Sequence, residues 1–229
     1  MPSARRQTTL KSPLAWGWLI LLMLLAGCAQ QQDTTHRIVI SIPEQRMIVL
    51  DQGRTIAEYP VSTSRFCESD RPGSMGTPLG ELEIAKKIGG GAPSGAVFKD
   101  QRMTGEIVRP NAPGRDPIVS RILWLRGLEA CNCNAYGRCI YIHGTAAEAD
   151  IGRPASFGCI RMRSADVIQL YDTVGVGAKV DITLETIAEA TGIPDAAPQP
   201  VLAEFGPTLK DVTVAQQPAS SHRGLEPFQ

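Results

Sequence analysis

Two side chains able to do nucleophilic chemistry flank a single loop. Ile142-His143-Gly144-Thr145 supplies an imidazole, and Ala155-Ser156-Phe157-Gly158-Cys159-Ile160-Arg161-Met162 supplies a thiol. An unperturbed thiol has a pKa of about 8.5 and is mostly protonated at neutral pH, so a nucleophilic cysteine needs an imidazole or converging amide dipoles beside it. His143 stands at the end of an apolar run just before a glycine, which lets its ring lean over the loop that returns at Cys159. Gly158 permits a tight turn before the thiol, so the amides of Phe157, Gly158 and Cys159 are expected to converge on a developing oxyanion. Alone, a histidine in apolar surroundings is more often a core residue, and an unpaired cysteine more often a small buried hydrophobe. Together and in this order, they make a candidate Cys-His nucleophilic pair.

These residues resemble the L,D-transpeptidase (YkuD) family, whose hallmark is a His-Gly pair followed after a loop by Ser-His-Gly-Cys, then Ile or Val with Arg or Asn. Thr77-Pro78-Leu79-Gly80 is similar to that family's Thr-Pro-x-Gly turn, and Tyr59-Pro60-Val61-Ser62-Thr63 to its Tyr-Pro-Val-Ser strand end. The resemblance runs from about His36 to Thr183. It implies a mainly β, β-sandwich-like catalytic fold with one short helix after Cys159, and no metal or other cofactor. It makes Cys159 the nucleophile, His143 the general base and the Gly144 carbonyl the group that orients the imidazole. Ser156, Phe157 and Gly158 fall at the oxyanion hole and substrate site, and Arg161 in the substrate pocket. The implied substrates are peptidoglycan stem tetrapeptides: Cys159 forms a thioester on the L-centre of a diamino acid, D-Ala leaves, and an amine resolves the thioester. A stem-peptide amine gives a 3-3 cross-link, and a Lys of a lipoprotein gives a wall-attached lipoprotein. One position departs from the pattern, since Phe157 stands where the family usually has His. Phe keeps a backbone N–H donor but reshapes the pocket wall, which leaves room for a hydrolase or carboxypeptidase that uses water.

The elements that must position these residues can be read from pattern. Arg37–Ile42, Arg46–Leu50 and Arg54–Ser62 read as a β-meander, split by Pro43-Glu44-Gln45 and Asp51-Gln52-Gly53. Glu81–Ile84 is a short strand after the Thr77–Gly80 turn, Gly89–Ser94 a loop, and Pro117–Leu128 a strand with one buried face. Cys139–His143 is a strand released at Gly144. Ser164 is the expected N-cap of a helix carrying Asp166 in its first turn and Val167, Leu170, Tyr171 and Val174 at helical spacing. Gly175 and Gly177 stop that helix, Ala178–Thr183 closes the domain, and Leu184–Thr191 has the composition of a helix.

The 229 residues carry 23 Lys and Arg against 23 Asp and Glu. This balance provides no broad basic face for nucleic acid. Arg5, Arg6 and Lys11 precede the apolar run Leu14–Ala26, which is shorter than the roughly 20 residues that cross a bilayer, so residues 1–27 are expected to be a removable signal segment. Leu25-Ala26-Gly27-Cys28 resembles the lipobox of bacterial lipoproteins, which implies lipidation of Cys28 and a periplasmic, membrane-anchored protein; Ala29 points to the outer membrane. Residues 28–35 then form a tether, 36–183 the catalytic domain, and 184–229 a Pro-, Ala- and Gln-rich tail that is mostly disordered. Setting aside Cys28 and Cys159, the remaining Cys67, Cys131, Cys133 and Cys139 are expected to form disulfides in an exported chain. A zinc site on Cys131, Cys133, Cys139 and His143 is the alternative, at the expense of the proposed base. The rival functions are a hydrolase on the same fold, an inactive wall-binding lipoprotein, and a papain-like protease. The order of His before Cys disfavours the last.

Overall fold

The computed structural model describes residues 32–194. The expected signal segment, Cys28, most of the tether and the tail beyond Pro194 lie outside the described residues. β1 (His36–Ser41), β2 (Arg46–Asp51) and β3 (Arg54–Pro60) form the expected antiparallel meander. The last strand, β10 (Lys179–Thr183), inserts between β1, to which it is parallel, and β4 (Gly80–Ile88), to which it is antiparallel. The beginning and end of the domain are thereby paired. β4 runs four residues beyond its expected end at Ile84, across a bulge against β7 (Ile118–Gly127). β5 (Ala96–Lys99) and β6 (Arg102–Ile107) add a hairpin on β7 that the sequence reading lacks. β8 (Tyr141–Thr145) pairs with β7, and β9 (Ile160–Met162) with β8, completing one curled ten-stranded sheet.

Period-2 alternation sends one side of most strands into a common core. Ile38, Val49, Ile84, Leu125, Ile142 and Val180 are representative, all fully buried. Val167 and Leu170 of helix α1 (Ser164–Thr173) complete that core, each fully buried side chain contributing about 1.5–3 kcal/mol. The other side of β1 and β2, with Val39, Ile48 and Leu50, is covered by Ile187 of the five-residue helix α2 (Ile187–Thr191) and by Ile193. α2 carries a capping box, Thr186 with Glu189, and ends on Gly192 in the left-handed region, as a helix stop requires.

Two local expectations are corrected. Ser164 is the first residue of α1, with Arg163 at the cap position, because the carboxylate of Glu148 accepts the Ser164 amide at 2.8 Å and takes over the capping role. The Ser164 hydroxyl instead turns inward and accepts from Ser120 Oγ at 2.9 Å. Residues 33–36 are part of the folded body: the Asp33 amide donates to Val176 O at 2.7 Å, and its carboxylate accepts from the amides of Gly175 and His36.

Candidate active site

The parallel pairing of β8 with β9 sets His143 opposite Arg161 and Ile142 opposite Ile160. Because successive side chains alternate, Ile142, Ile160 and Met162 enter the core, while His143 and Arg161 point to the other face with Cys159, the residue just ahead of β9. There they line a cavity of about 450 Å³ that also takes in Ser156, Phe157 and Asp116. The structure thus gathers Cys159, His143, Ser156, Phe157 and Arg161 at one site.

The strand that carries His143 differs from the expected Cys139–His143. Cys139 has φ 58, outside the extended region, and β8 begins at Tyr141 and continues through Gly144 to Thr145. Gly144 therefore does not release the chain. It is needed because a Cβ there would lie 2.5 Å from Val119 O and 3.1 Å from Val167 Cγ1, so only glycine lets β7 and α1 close on the histidine strand. Gly158 is needed for a second reason: φ is 118, and a Cβ would meet the Gly76 carbonyl at 2.9 Å. The two peripheral motifs explain how the nucleophile segment is held. Ser62 of the Tyr-Pro-Val-Ser segment exchanges both backbone hydrogen bonds with Arg161, at 2.9 and 2.8 Å. Thr77 of the Thr-Pro-Leu-Gly turn donates its hydroxyl to Gly158 O at 3.1 Å and accepts from the Ser64 amide at 3.0 Å.

The profile of the L,D-transpeptidase catalytic domain, YkuD, matches residues 35–182, well over half of the chain. The chain belongs to the L,D-transpeptidase family. It is 29% identical over 170 residues to a probable L,D-transpeptidase, YbiS, of Escherichia coli K12, a match covering 72% of this chain and 50% of that protein. It is 25% identical over 161 residues to a putative L,D-transpeptidase, YkuD, of Bacillus licheniformis, covering 70% and 73%. The chain spans about half the length of the Escherichia coli relatives YbiS and YcfS. Among solved structures, L,D-transpeptidase 3 from Mycobacterium tuberculosis with a faropenem-derived adduct aligns with a TM-score of 0.43 and 18% identity, over 65% of this chain and 60% of that one.

In this L,D-transpeptidase domain the protonation states of the pair follow from their hydrogen bonds and burial. His143 Nδ1 lies 2.8 Å from Gly144 O, an acceptor, so Nδ1 carries the proton and Nε2 keeps its lone pair. Burial pushes the imidazole down to about 4, against the opposing effects of the Gly144 carbonyl and Asp116. Desolvation also pushes the Cys159 thiol up to about 11, partly offset by the Tyr141 amide. The thiol donates to Cys139 O at 3.4 Å. The resting pair is therefore a thiol and a neutral imidazole, not a preformed ion pair. Alkylation of Cys159 by iodoacetamide, followed by mass spectrometry of its peptide, is expected to accelerate about tenfold per pH unit from about pH 7 to about pH 10 as thiolate accumulates. A plateau already reached at neutral pH would contradict these assignments.

Asp116 is the site residue that sequence reasoning missed. Its Oδ1 accepts from Thr145 Oγ1 at 2.5 Å and from the amides of Ala146 and Ala147 at 3.0 and 3.2 Å, and its Oδ2 binds Arg161 Nη1. These donors hold its carboxyl below the usual range despite burial. Arg161 is buried, yet its Nε and Nη2 have no hydrogen-bond partner among the described residues, so an unsatisfied guanidinium edge lies beside the thiol. The expected oxyanion donors also need correction at one position. The Gly158 N–H donates to Ser156 Oγ at 3.1 Å, and Ser156 Oγ donates to Cys159 O at 2.6 Å, so the serine braces the turn and uses up the Gly158 amide.

The disulfide expectation is also corrected. Cys67, Cys131, Cys133, Cys139 and Cys159 are all free thiols, the first three exposed. Cys67 Sγ faces Ser74 O, and Cys131 Sγ faces Glu129 and Leu79 O. Parity in the sequence counts cysteines but cannot aim their side chains at one another. Among the described residues no three His, Cys, Asp or Glu side chains gather as metal ligands.

Proposed function

We propose that this chain is a cysteine L,D-transpeptidase acting on peptidoglycan stem tetrapeptides. The observation that carries the proposal is the shared cavity: the Cys159 thiol, the His143 imidazole fixed with Nε2 free, and the buried, half-unsatisfied Arg161 all line it. Sγ attacks the carbonyl that joins the L-centre of a diamino acid to the terminal D-Ala, while its proton passes to His143 Nε2. The amides of Phe157 and Cys159 receive the oxyanion, the Gly158 amide being engaged by Ser156. The intermediate collapses, His143 returns the proton to the leaving D-Ala amine, and a thioester remains on Cys159. An amine then attacks the thioester, giving its proton to His143, which hands it back to the departing thiolate. The product is a 3-3 cross-link when the amine belongs to a stem peptide, and wall-attached lipoprotein when it is a lysine. The unpaired Arg161 edge, buried in the cavity wall, suits a peptide carboxylate, as a guanidinium pairs with carboxylate in fixed geometry.

Mass spectrometry of tetrapeptide muropeptides incubated with the purified protein separates the outcomes. Loss of D-Ala with formation of dimers is expected. Tripeptide monomers alone would replace the transferase reading with a carboxypeptidase, and unchanged substrate would sink both.

We further propose that Cys28 is lipidated and anchors the protein in the bacterial envelope, on the periplasmic side and at the outer membrane. The support is the apolar run to Ala26 and the Leu25-Ala26-Gly27-Cys28 sequence. Metabolic labelling with a fatty acid should mark the chain and fail with Cys28→Ala; equal labelling of that variant would exclude this anchor.

A further inference from the structure

At the mouth of the cavity the guanidinium of Arg65 lies over two phenyl rings, 4.6 Å from the centroid of Phe157 and 5.0 Å from that of Phe66, the rings themselves 5.5 Å apart. The backbone builds this arrangement. Ser64 bridges Ser156, the Arg65 amide donates to Ser156 O at 3.2 Å, and the Phe66 amide donates to Ser64 Oγ at 3.1 Å, so the segment bearing Arg65 and Phe66 is bound alongside the one bearing Phe157. Phe157 and Phe66 are 60% and 51% exposed, although rings of this size are otherwise mostly buried. Arg65 has no carboxylate partner among the described residues. The acidic side chains of the cavity are engaged elsewhere, Asp116 with Arg161 and Asp150 with Arg153.

An unpaired cation braced by two faces keeps its N–H edge free and loses little entropy when it binds. We propose that Arg65, held by Phe66 and Phe157, is the subsite for a free carboxylate of the donor peptide, outside the bond that is broken. Its charge disfavours the amine acceptor at this position, which places the donor there. It also gives Phe157 a role: a neutral ring face supports the guanidinium, where a protonated imidazole would repel it. This inference rests on the acyl-transfer reading above, and its test keeps the two apart.

Turnover by the wild-type protein is followed with a tetrapeptide donor and with derivatives in which each free carboxylate is amidated in turn; binding of the same peptides to the Cys159→Ala protein is followed by calorimetry. Arg65→Ala should raise KM for the fully charged donor about tenfold with kcat nearly unchanged, and weaken binding by the same factor. Phe66→Ala should have a smaller effect in the same direction. For one amidated derivative Arg65→Ala and the unsubstituted protein should be alike, which a merely structural role would not produce. Equal losses with every derivative, or no loss with the charged donor, would overturn the carboxylate subsite while leaving transpeptidation intact. Arg65-dependent binding without any turnover would overturn the acyl-transfer reading and leave the subsite standing; no binding and no turnover would overturn both.

Discussion

Cys159→Ala is expected to lower D-Ala release from a tetrapeptide by on the order of ten thousandfold or more, with the melting temperature changed by no more than about 2 °C. No second group lining the cavity can take over as nucleophile. Among the side chains lining the cavity, Asp116 is engaged by Arg161, Ser156 Oγ donates to Cys159 O, and the lone pair on His143 Nε2 activates a nucleophile but is not placed as one. The half-buried sulfur has only weak partners, donating to Cys139 O at 3.4 Å and facing the Tyr141 amide, so its removal leaves little unsatisfied. The measurement pairs release kinetics with a thermal melt. Release by Cys159→Ala within about tenfold of wild type would assign the chemistry to another residue.

The second large effect is expected at Asp116. Asp116→Ala removes the one anion that bonds the buried Arg161 among the described residues and the acceptor of three donors from residues 145–147, just after the histidine. Breaking one side of a fully buried ion pair costs about 3–5 kcal/mol; because the Asp116 side chain is 29% exposed, about 2–4 kcal/mol is expected here. Turnover should fall on the order of a hundredfold, since the end of β8 loses its anchor at Thr145, next to the Gly144 carbonyl that holds the His143 ring. Asp116→Asn retains an oxygen for Thr145, Ala146 and Ala147 but not the charge facing Arg161, and should recover most of the stability and less of the activity. The pH dependence has the same origin. The folded carboxyl titrates below its unfolded value, so its contribution is present in full above the unfolded pKa and is lost as pH falls through the folded one. An Asp116→Ala protein with an unchanged melting temperature and full turnover would show that this network is incidental.

Asp116 also marks the limit of the sequence reading. Cys159 and His143 stood out because their neighbours are unusual: a glycine beside each, and Ser156 and Arg161 flanking the thiol. Asp116 lies in a stretch of Pro, Gly and Arg with no periodicity, and its partners lie at residues 145–147 and 161, contacts that only the pairing of β7, β8 and β9 creates. The β5–β6 hairpin escaped for a related reason. All six residues of β6 are exposed, so there is no alternation between buried and exposed positions to detect. β9 is three residues long and shorter than any pattern window, yet its register with β8 assembles the site. The meander, the closing strand and the single main helix were legible because each pairs a clear hydrophobic period with a turn or stop residue. Cys139 was assigned to a strand by its apolar followers, whereas its positive φ turns its carbonyl toward the Cys159 thiol. Backbone handedness at a non-glycine residue leaves no trace in composition.

Acyl transfer through Cys159 requires a covalent intermediate at that sulfur. Intact-protein mass spectrometry, seconds after mixing the purified protein with a tetrapeptide donor, should reveal a population heavier by the mass of the donor less that of the released D-Ala. Fragmentation should place that mass on Cys159, and hydroxylamine should remove it as expected for a thioester. Release of D-Ala with no such adduct on Cys159, or an adduct that persists in Cys159→Ala, would contradict the assignment.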